Sequence, residues 1–275
     1  MSLNPEPVIG GGYKEVGRSV PKVDGLALAC GQPVYTADMT MPGMLVARVL
    51  RSRVPHAKII RIDATEARKV PGVHAVLTHH DLKRIVHTTA GQGFPEPSPY
   101  DTFVLDDRVR YVGDRIAAVA AETPEAAAEA LRKIEFQLEE LPAVFDQEEA
   151  LRPGAPVIHP EPEAHMPIPV TYDKERNLVA QVEFEVGDVE AAIKNADIVV
   201  GGRYTTSYAQ HVPLEPHVCF TWFDEHGRLV IRTSTQVPFH ARRIVAQALD
   251  FPLRKIRVIK PRVGGGFGAK QEVLL

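Results

Sequence analysis

The alternation of apolar and polar positions changes period several times along the chain, and each change predicts an element. Leu45, Ala47 and Val49 alternate with more polar neighbours, the period of a half-buried strand. The segment "AKIIRIDATEARKVPGVHAVL" predicts a strand over Lys58–Ile62, a short helix around Thr65–Lys69 and a strand over Ala75–Thr78. Asp63 is placed to cap that helix, and Pro71-Gly72 to turn the chain. In "RIAAVAAETPEAAAEALRKIEFQLEE", Ile116–Ala121 reads as a small-residue strand. Thr123 and Pro124 then open a helix in which Ala127, Ala130, Leu131 and Ile134 recur at helical spacing. Phe136 and Leu138 begin a further strand. This alternation of strand and helix points to an α/β (α+β) domain over roughly residues 20–150.

Residues 1–19 are rich in Gly and Pro and read as an extended arm. Residues 151–170 are rich in proline and predict a connector to a second unit over 171–275. There "LVAQVEFEVGDVEAAIKNADIVVGGRYTTS" predicts strand, helix, strand. "HVCFTWFDEHGRLVIRTST" predicts a hairpin turning at Asp224–Gly227. Pro238 opens an amphipathic helix through Ala248 with Ile244, Val245, Ala248 and Leu249 on its apolar face, and "KIRVIKP" is a strand.

Composition narrows the function. A net charge of -3 over 275 residues gives no basic surplus for a nucleic-acid partner. No apolar run approaches the roughly 20 residues of a membrane span, and no signal-peptide pattern opens the chain. Cys30 and Cys219 form no CxxC, so neither an iron–sulfur cluster nor a structural zinc site is indicated. A reduced, cytoplasmic protein is the expectation.

The strongest chemical signal is "KPRVGGGFGAK", Lys260–Lys270, with four glycines in five positions. Such a run permits positive φ and leaves backbone N–H groups open to an anion. A plain glycine-rich turn is the alternative. A dinucleotide fingerprint fits poorly: its sixth position is Ala269, and no following helix or ribose-binding acid is present. The GxxxxGK[ST] spacing of a P-loop has no match.

Together with "TSTQVPFHARRIVAQAL", "HVPLEPH", "VRYVGDRIAAVAAETPEAAAEAL" and "LRSRVPHAKIIRIDATEARKVPGVHAVLTHHDL", this run resembles the molybdenum-binding subunit of the xanthine dehydrogenase and aldehyde oxidase family. The resemblance covers nearly all of residues 20–272, with Leu214 where the family usually has Met. It implies an N-terminal α/β hammerhead domain followed by the beginning of the molybdopterin-binding domain. It also implies a molybdenum–molybdopterin cofactor, with a cytosine dinucleotide form among the alternatives. Iron–sulfur clusters and FAD on partner subunits would carry electrons away from a small-molecule substrate. The cofactor performs the redox chemistry and the protein positions it.

The same resemblance assigns residues. Gln236 would hydrogen-bond an oxygen ligand of the metal; a strand-end Gln capping the next helix is the alternative. Gly265, Gly266, Phe267 and Gly268 would form the cofactor loop, with Phe267 at the substrate side. One helix and one strand separate Gln236 from the loop, a return path suited to bringing both to one sheet edge. Gln271 stands where purine-oxidising members carry Glu, which favours aldehydes, other N-heterocycles or aromatic thioesters over xanthine. Glu272 is its neighbour, and adjacent residues of an extended segment point to opposite sides. Glu215 reads as structural, His211 and His217 as satisfied loop histidines, and His79-His80 and Arg242-Arg243 as solvated or interfacial. No side chain here is expected to ligate the metal directly.

Family subunits are longer, and their general-base glutamate lies C-terminal to the matched region. The chain alone is therefore expected to be inactive, needing the remaining part of the molybdenum subunit, an iron–sulfur subunit and a flavin subunit. The alternatives are a non-catalytic assembly or subunit-docking fragment, and part of a reductive aromatic-thioester dehydroxylase.

Overall fold

The computed structural model describes residues 19–90 and 93–273. Most of the expected N-terminal arm lies outside the described residues. A short helix α1 (Gly25–Ala29) precedes strands β1 (Val46–Arg51), β2 (Ala57–Asp63) and β3 (Val73–Leu77). Then come β4 (Arg108–Val109), β5 (Arg115–Ala121), α2 (Pro124–Arg132) and β6 (Glu135–Glu140). These strands form two three-stranded antiparallel sheets, ordered β1-β5-β3 and β4-β2-β6. Consecutive strands β5 and β6 thus join different sheets, so the strand–helix–strand pattern does not produce a parallel pair here.

Local chemistry explains α2. The Thr123 hydroxyl oxygen accepts the Ala126 N–H at 3.1 Å, and Pro124 occupies the first turn. Ala127 and Ala130 bury completely against Ala117, Val119 and Ala121 of β5. Small side chains on both surfaces let helix and sheet approach closely. On β1 the buried side differs from expectation: Leu45 and Ala47 are exposed, and Leu50 packs on the core. Pairing of Leu50 with Ala117 fixes that register. The helix expected after Asp63 is a single 3-10 turn, Ala67–Lys69, while Asp63 accepts the Thr65 N–H at 2.9 Å.

After α3 (Gln147–Ala150), residues 151–170 hold no regular helix or strand beyond one backbone bridge. That bridge joins His165 to Tyr100 through two backbone bonds. Glu161, buried in this segment, pairs with Arg110 of the first unit.

The second unit begins with β7 (Thr171–Asp173), β8 (Leu178–Gln181) and α4 (Val189–Asn195). The strand expected after α4 is absent: residues 196–218 form neither helix nor strand. Val182, Phe184, Ile198, Val200 and Tyr204 carry strand-like residues yet stay exposed, because no described segment pairs with them. From β9 (Cys219–Phe223) onward the order is regular: β10 (Leu229–Thr233), α5 (Pro238–Ala248) and β11 (Ile256–Ile259). β9 and β10 form the expected hairpin, with Gly227 at φ 66. β10 and β11 are parallel, and α5 covers them through Ala241, Ile244 and Val245. Leu249 lies just past the helix end and is 46% exposed, so it does not share that face.

Contacts between the units are specific. Arg243 of α5 pairs with buried Glu96 at 3.0 Å, and the Val273 N–H donates to the Thr89 carbonyl at 2.8 Å. No described helix is long and apolar enough to cross a membrane.

Candidate functional site

The parallel β10–α5–β11 crossover returns the chain to the edge it left. Gln236, three residues past β10, therefore meets the glycine run that follows β11. The Gln236 N–H donates to the Lys270 carbonyl at 2.8 Å. Its side-chain Oε1 accepts the Gly268 N–H at 3.2 Å. Using Oε1 this way fixes the carboxamide and leaves Nε2 as a donor with no acceptor among the described residues.

The glycines are set by space as much as by torsion. A Cβ on Gly266 would lie 2.5 Å from Gln236 Oε1, and one on Gly264 would lie 2.5 Å from Glu215 Cβ. Gly265 (φ 98) and Gly268 (φ 92) adopt conformations that side chains rarely take. Phe267 adopts φ 53 without being glycine, and its ring is 74% exposed. A bulky residue in this region marks local strain of about 1–3 kcal/mol, a feature concentrated at functional sites. The N–H groups of Gly265, Gly266 and Phe267 donate to no described residue, whereas those of Gly264 and Gly268 are used.

One cluster escaped the sequence reading. Lys270 is the largest fully buried side chain, at 1% exposure. Its ammonium donates to Glu215 Oε2 at 2.9 Å and to Ser234 Oγ at 2.7 Å. The same Glu215 oxygen accepts the Gly264 N–H at 2.7 Å and the Ser234 hydroxyl. Burial pushes the Glu215 carboxyl up, but hydrogen bonds from Ser234, Lys270 and Gly264, with the Lys270 charge, outweigh it and hold it below the ordinary value. Glu215 thus fits the structural reading. The only advance signal for Lys270 was its place at the end of a glycine run, where a solvated lysine is the ordinary reading.

Other expectations change. Gly268–Gln271 closes a turn through the Gln271 N–H and Gly268 carbonyl at 3.1 Å, so the extended geometry assumed for Gln271 and Glu272 does not apply. Glu272 instead helps line a cavity of about 320 Å³ with Arg51, Arg110 and Asp114 of the first unit. His211 and His217 lie exposed on the loop and make no side-chain hydrogen bond among the described residues, which leaves their ring nitrogens to solvent. His211 Nε2 lies 3.6 Å from where a Gly268 Cβ would stand. Burial, then the Lys270 charge, pushes the His217 imidazole down. Arg243 is interfacial, as expected; Arg242 instead donates to the Ile256 and Leu253 carbonyls, closing α5 onto β11. His79 is half-buried beside His80.

No group of three His, Cys, Asp or Glu side chains among the described residues could hold a metal. The residues at the loop do fit a cofactor whose metal is carried by its own organic ligand. They supply open donors, a fixed carboxamide and close backbone approach, and add no negative charge to compete with oxygen ligands.

Residues 30–142 match the aldehyde oxidase and xanthine dehydrogenase a/b hammerhead domain, and residues 171–275 match the molybdopterin cofactor-binding domain. The chain is 39% identical to the probable hypoxanthine oxidase XdhD of Escherichia coli O157:H7, covering 94% of this chain and 30% of that protein. It is 37% identical to the nicotinate dehydrogenase large molybdopterin subunit of Eubacterium barkeri, covering 96% of this chain and 58% of that protein. The fold superposes on a Cu,Mo-CO dehydrogenase with a TM-score of 0.77 at 31% identity, over 92% of this chain and 32% of that one. Two domain matches in family order, with that superposition, make this chain a member of the xanthine dehydrogenase and aldehyde oxidase family, corresponding to the N-terminal portion of its molybdenum-binding subunit.

Proposed function

We propose that residues 171–275 form one wall of a molybdenum–molybdopterin site, with residues 151–170 as the connector from the hammerhead domain. The complete enzyme would hydroxylate an aldehyde or N-heteroaromatic substrate. The observation that carries this reading is the Gln236 carboxamide, held through Oε1 by the Gly268 N–H, with Nε2 and three loop N–H groups open among the described residues. When bound, the cofactor supplies oxidation of an electron-poor carbon with water-derived oxygen, its electrons leaving through iron–sulfur and flavin partners.

The chain's own residues then have separate tasks. Gln236 Nε2 would help hold the cofactor through an oxygen acceptor without bringing charge, and the Gly265, Gly266 and Phe267 N–H groups would add further donors. Phe267, apolar and exposed beside the loop, borders the substrate. Gln271 hydrogen-bonds substrate as a neutral amide, which suits an uncharged ring or carbonyl. A general base comes from polypeptide beyond the residues matched here. The similarity to a probable hypoxanthine oxidase and to a nicotinate dehydrogenase subunit supports the N-heteroaromatic class.

The test is molybdenum and pterin content of the purified complex containing this chain, with and without Gln236→Ala. Loss of one charge-assisted donor, about 1.5–3 kcal/mol, lowers retained molybdenum by roughly tenfold or more. Unchanged molybdenum and pterin content in the variant would contradict the assignment. The chain by itself is expected to give no dye-linked dehydrogenase turnover.

A further inference from the structure

Lysine is almost never fully buried without a partner, because its ammonium loses strong hydration. Lys270 lies at 1% exposure and meets that cost with two short hydrogen bonds. The geometry around it does more than satisfy a charge. Glu215 Oε2 accepts both the Gly264 N–H, where the glycine run starts, and the Lys270 ammonium, where it ends. One carboxylate oxygen therefore holds both ends of the loop that carries the open N–H groups. The Lys270 main chain adds a second tether: its carbonyl accepts the Gln236 N–H at 2.8 Å and the Thr235 hydroxyl at 3.3 Å. Ser234, bonded to both charged groups, joins the clamp to the end of β10.

We propose that Lys270 is a positioning residue: its buried ammonium, through Glu215 and Ser234, sets the loop 264–268 and Gln236 in the arrangement that receives the molybdenum cofactor. This rests on the cofactor reading above, but the clamp itself is a property of the chain and is measurable without the cofactor. Lys270 does not touch the proposed substrate or metal ligands. It acts by keeping the Gly265–Phe267 donors and the Gln236 carboxamide in fixed relation, since donors that need no reorganisation bind and polarise more strongly.

Removing the ammonium leaves Glu215 buried, charged and short of one partner. Its other oxygen, Oε1, is already buried without a partner among the described residues. The carboxylate then regains hydration only by opening the loop. Neutralising Glu215 as well removes that drive, because a glutamine carbonyl still accepts from Gly264 and Ser234.

The test is hydrogen exchange on the full chain without cofactor, comparing Lys270→Met, Glu215→Gln and the double variant. In Lys270→Met, the hydrogen-bonded amides of Gly264, Gly268, Ala269 and Gln271 are expected to exchange about tenfold faster or more, with amides 115–132 unchanged. The double variant is expected to return within about threefold of the unmodified chain. Unmodified exchange in Lys270→Met would overturn the proposal, as would a double variant as open as the single one. If Lys270→Met does not fold, the double variant decides alone: it must fold with a protected loop. A failure of the cofactor reading has a different signature. Gln236→Ala would then leave the pterin content of the complex unchanged while the exchange pattern of the Lys270 variants still held.

Discussion

Gly266→Ala tests whether the glycine run exists to make room for Gln236. Gly266 has no left-handed φ, so alanine meets no backbone penalty there. The added Cβ would stand 2.5 Å from Gln236 Oε1 and 2.7 Å from its Cδ, well inside contact distance. The carboxamide must swing away, and the Gly268 N–H loses its acceptor. Overpacking of this kind costs about 1–3 kcal/mol and an orphaned donor about 1–3 kcal/mol. Because the amide end is flexible and reaches water, the lower part of each range applies, giving about 3 kcal/mol in total. At 1.4 kcal/mol per tenfold, that lowers the population of the fixed Gln236 arrangement roughly a hundredfold. The readout is a double-mutant cycle by urea denaturation, followed through Trp222, the single tryptophan, which lies on β9 opposite Val230 of β10. Once Gln236 is alanine, Gly266→Ala has nothing to strike and is expected to cost under about 1 kcal/mol, a coupling of about 2 kcal/mol. Equal costs in the two backgrounds would refute the argument. Gly264→Ala is the contrast, because its Cβ meets Glu215 Cβ, an atom that cannot swing aside. It is expected to cost more and to be insensitive to residue 236.

Ile244→Ala, at a fully buried position between α5 and the β10–β11 pair, is expected to lose about 3 kcal/mol in the same urea titration. Thr123→Ala removes the α2 cap and is expected to cost about 1 kcal/mol, read as a lower Tm with the C-terminal unit unaffected. Burial pushes the His87 imidazole down to about 4 from 6.5, so the unfolded chain binds a proton that the folded chain refuses between those values. Stability therefore falls as pH drops from 6.5 towards about 4, by up to about 1.4 kcal/mol per pH unit from this group. His87→Asn is expected to reduce that slope by up to one proton in denaturation titrations across the window, and an unchanged slope would remove His87 from the account.

How much was legible depends on how far apart the interacting residues lie. The α2 cap, the β9–β10 turn at Gly227 and the α5 start at Pro238 depend on neighbours within a few residues, and each forms where the pattern indicates. Sheet membership does not have that property. The strand signals of β5 and β6 are correct, yet only pairing with β1, β3 and β2 separates them into two sheets. The strand signal after α4 is also sound chemistry without a partner, and apolar alternation alone does not hold a strand. The site divides in the same way. Gln236 and the glycine run were expected together because a strand–helix–strand return brings its ends to one edge. Lys270 was invisible because its burial depends on Glu215, 55 residues back, and on Ser234, 36 residues back. A glycine run next to a lysine looks like a loop with a solvated end. Here the glycine at position 264 admits the Glu215 side chain at close range, and that carboxylate in turn lets the lysine turn inward. The small residue and the buried charge are therefore one device, and neither has a physical reason without the other.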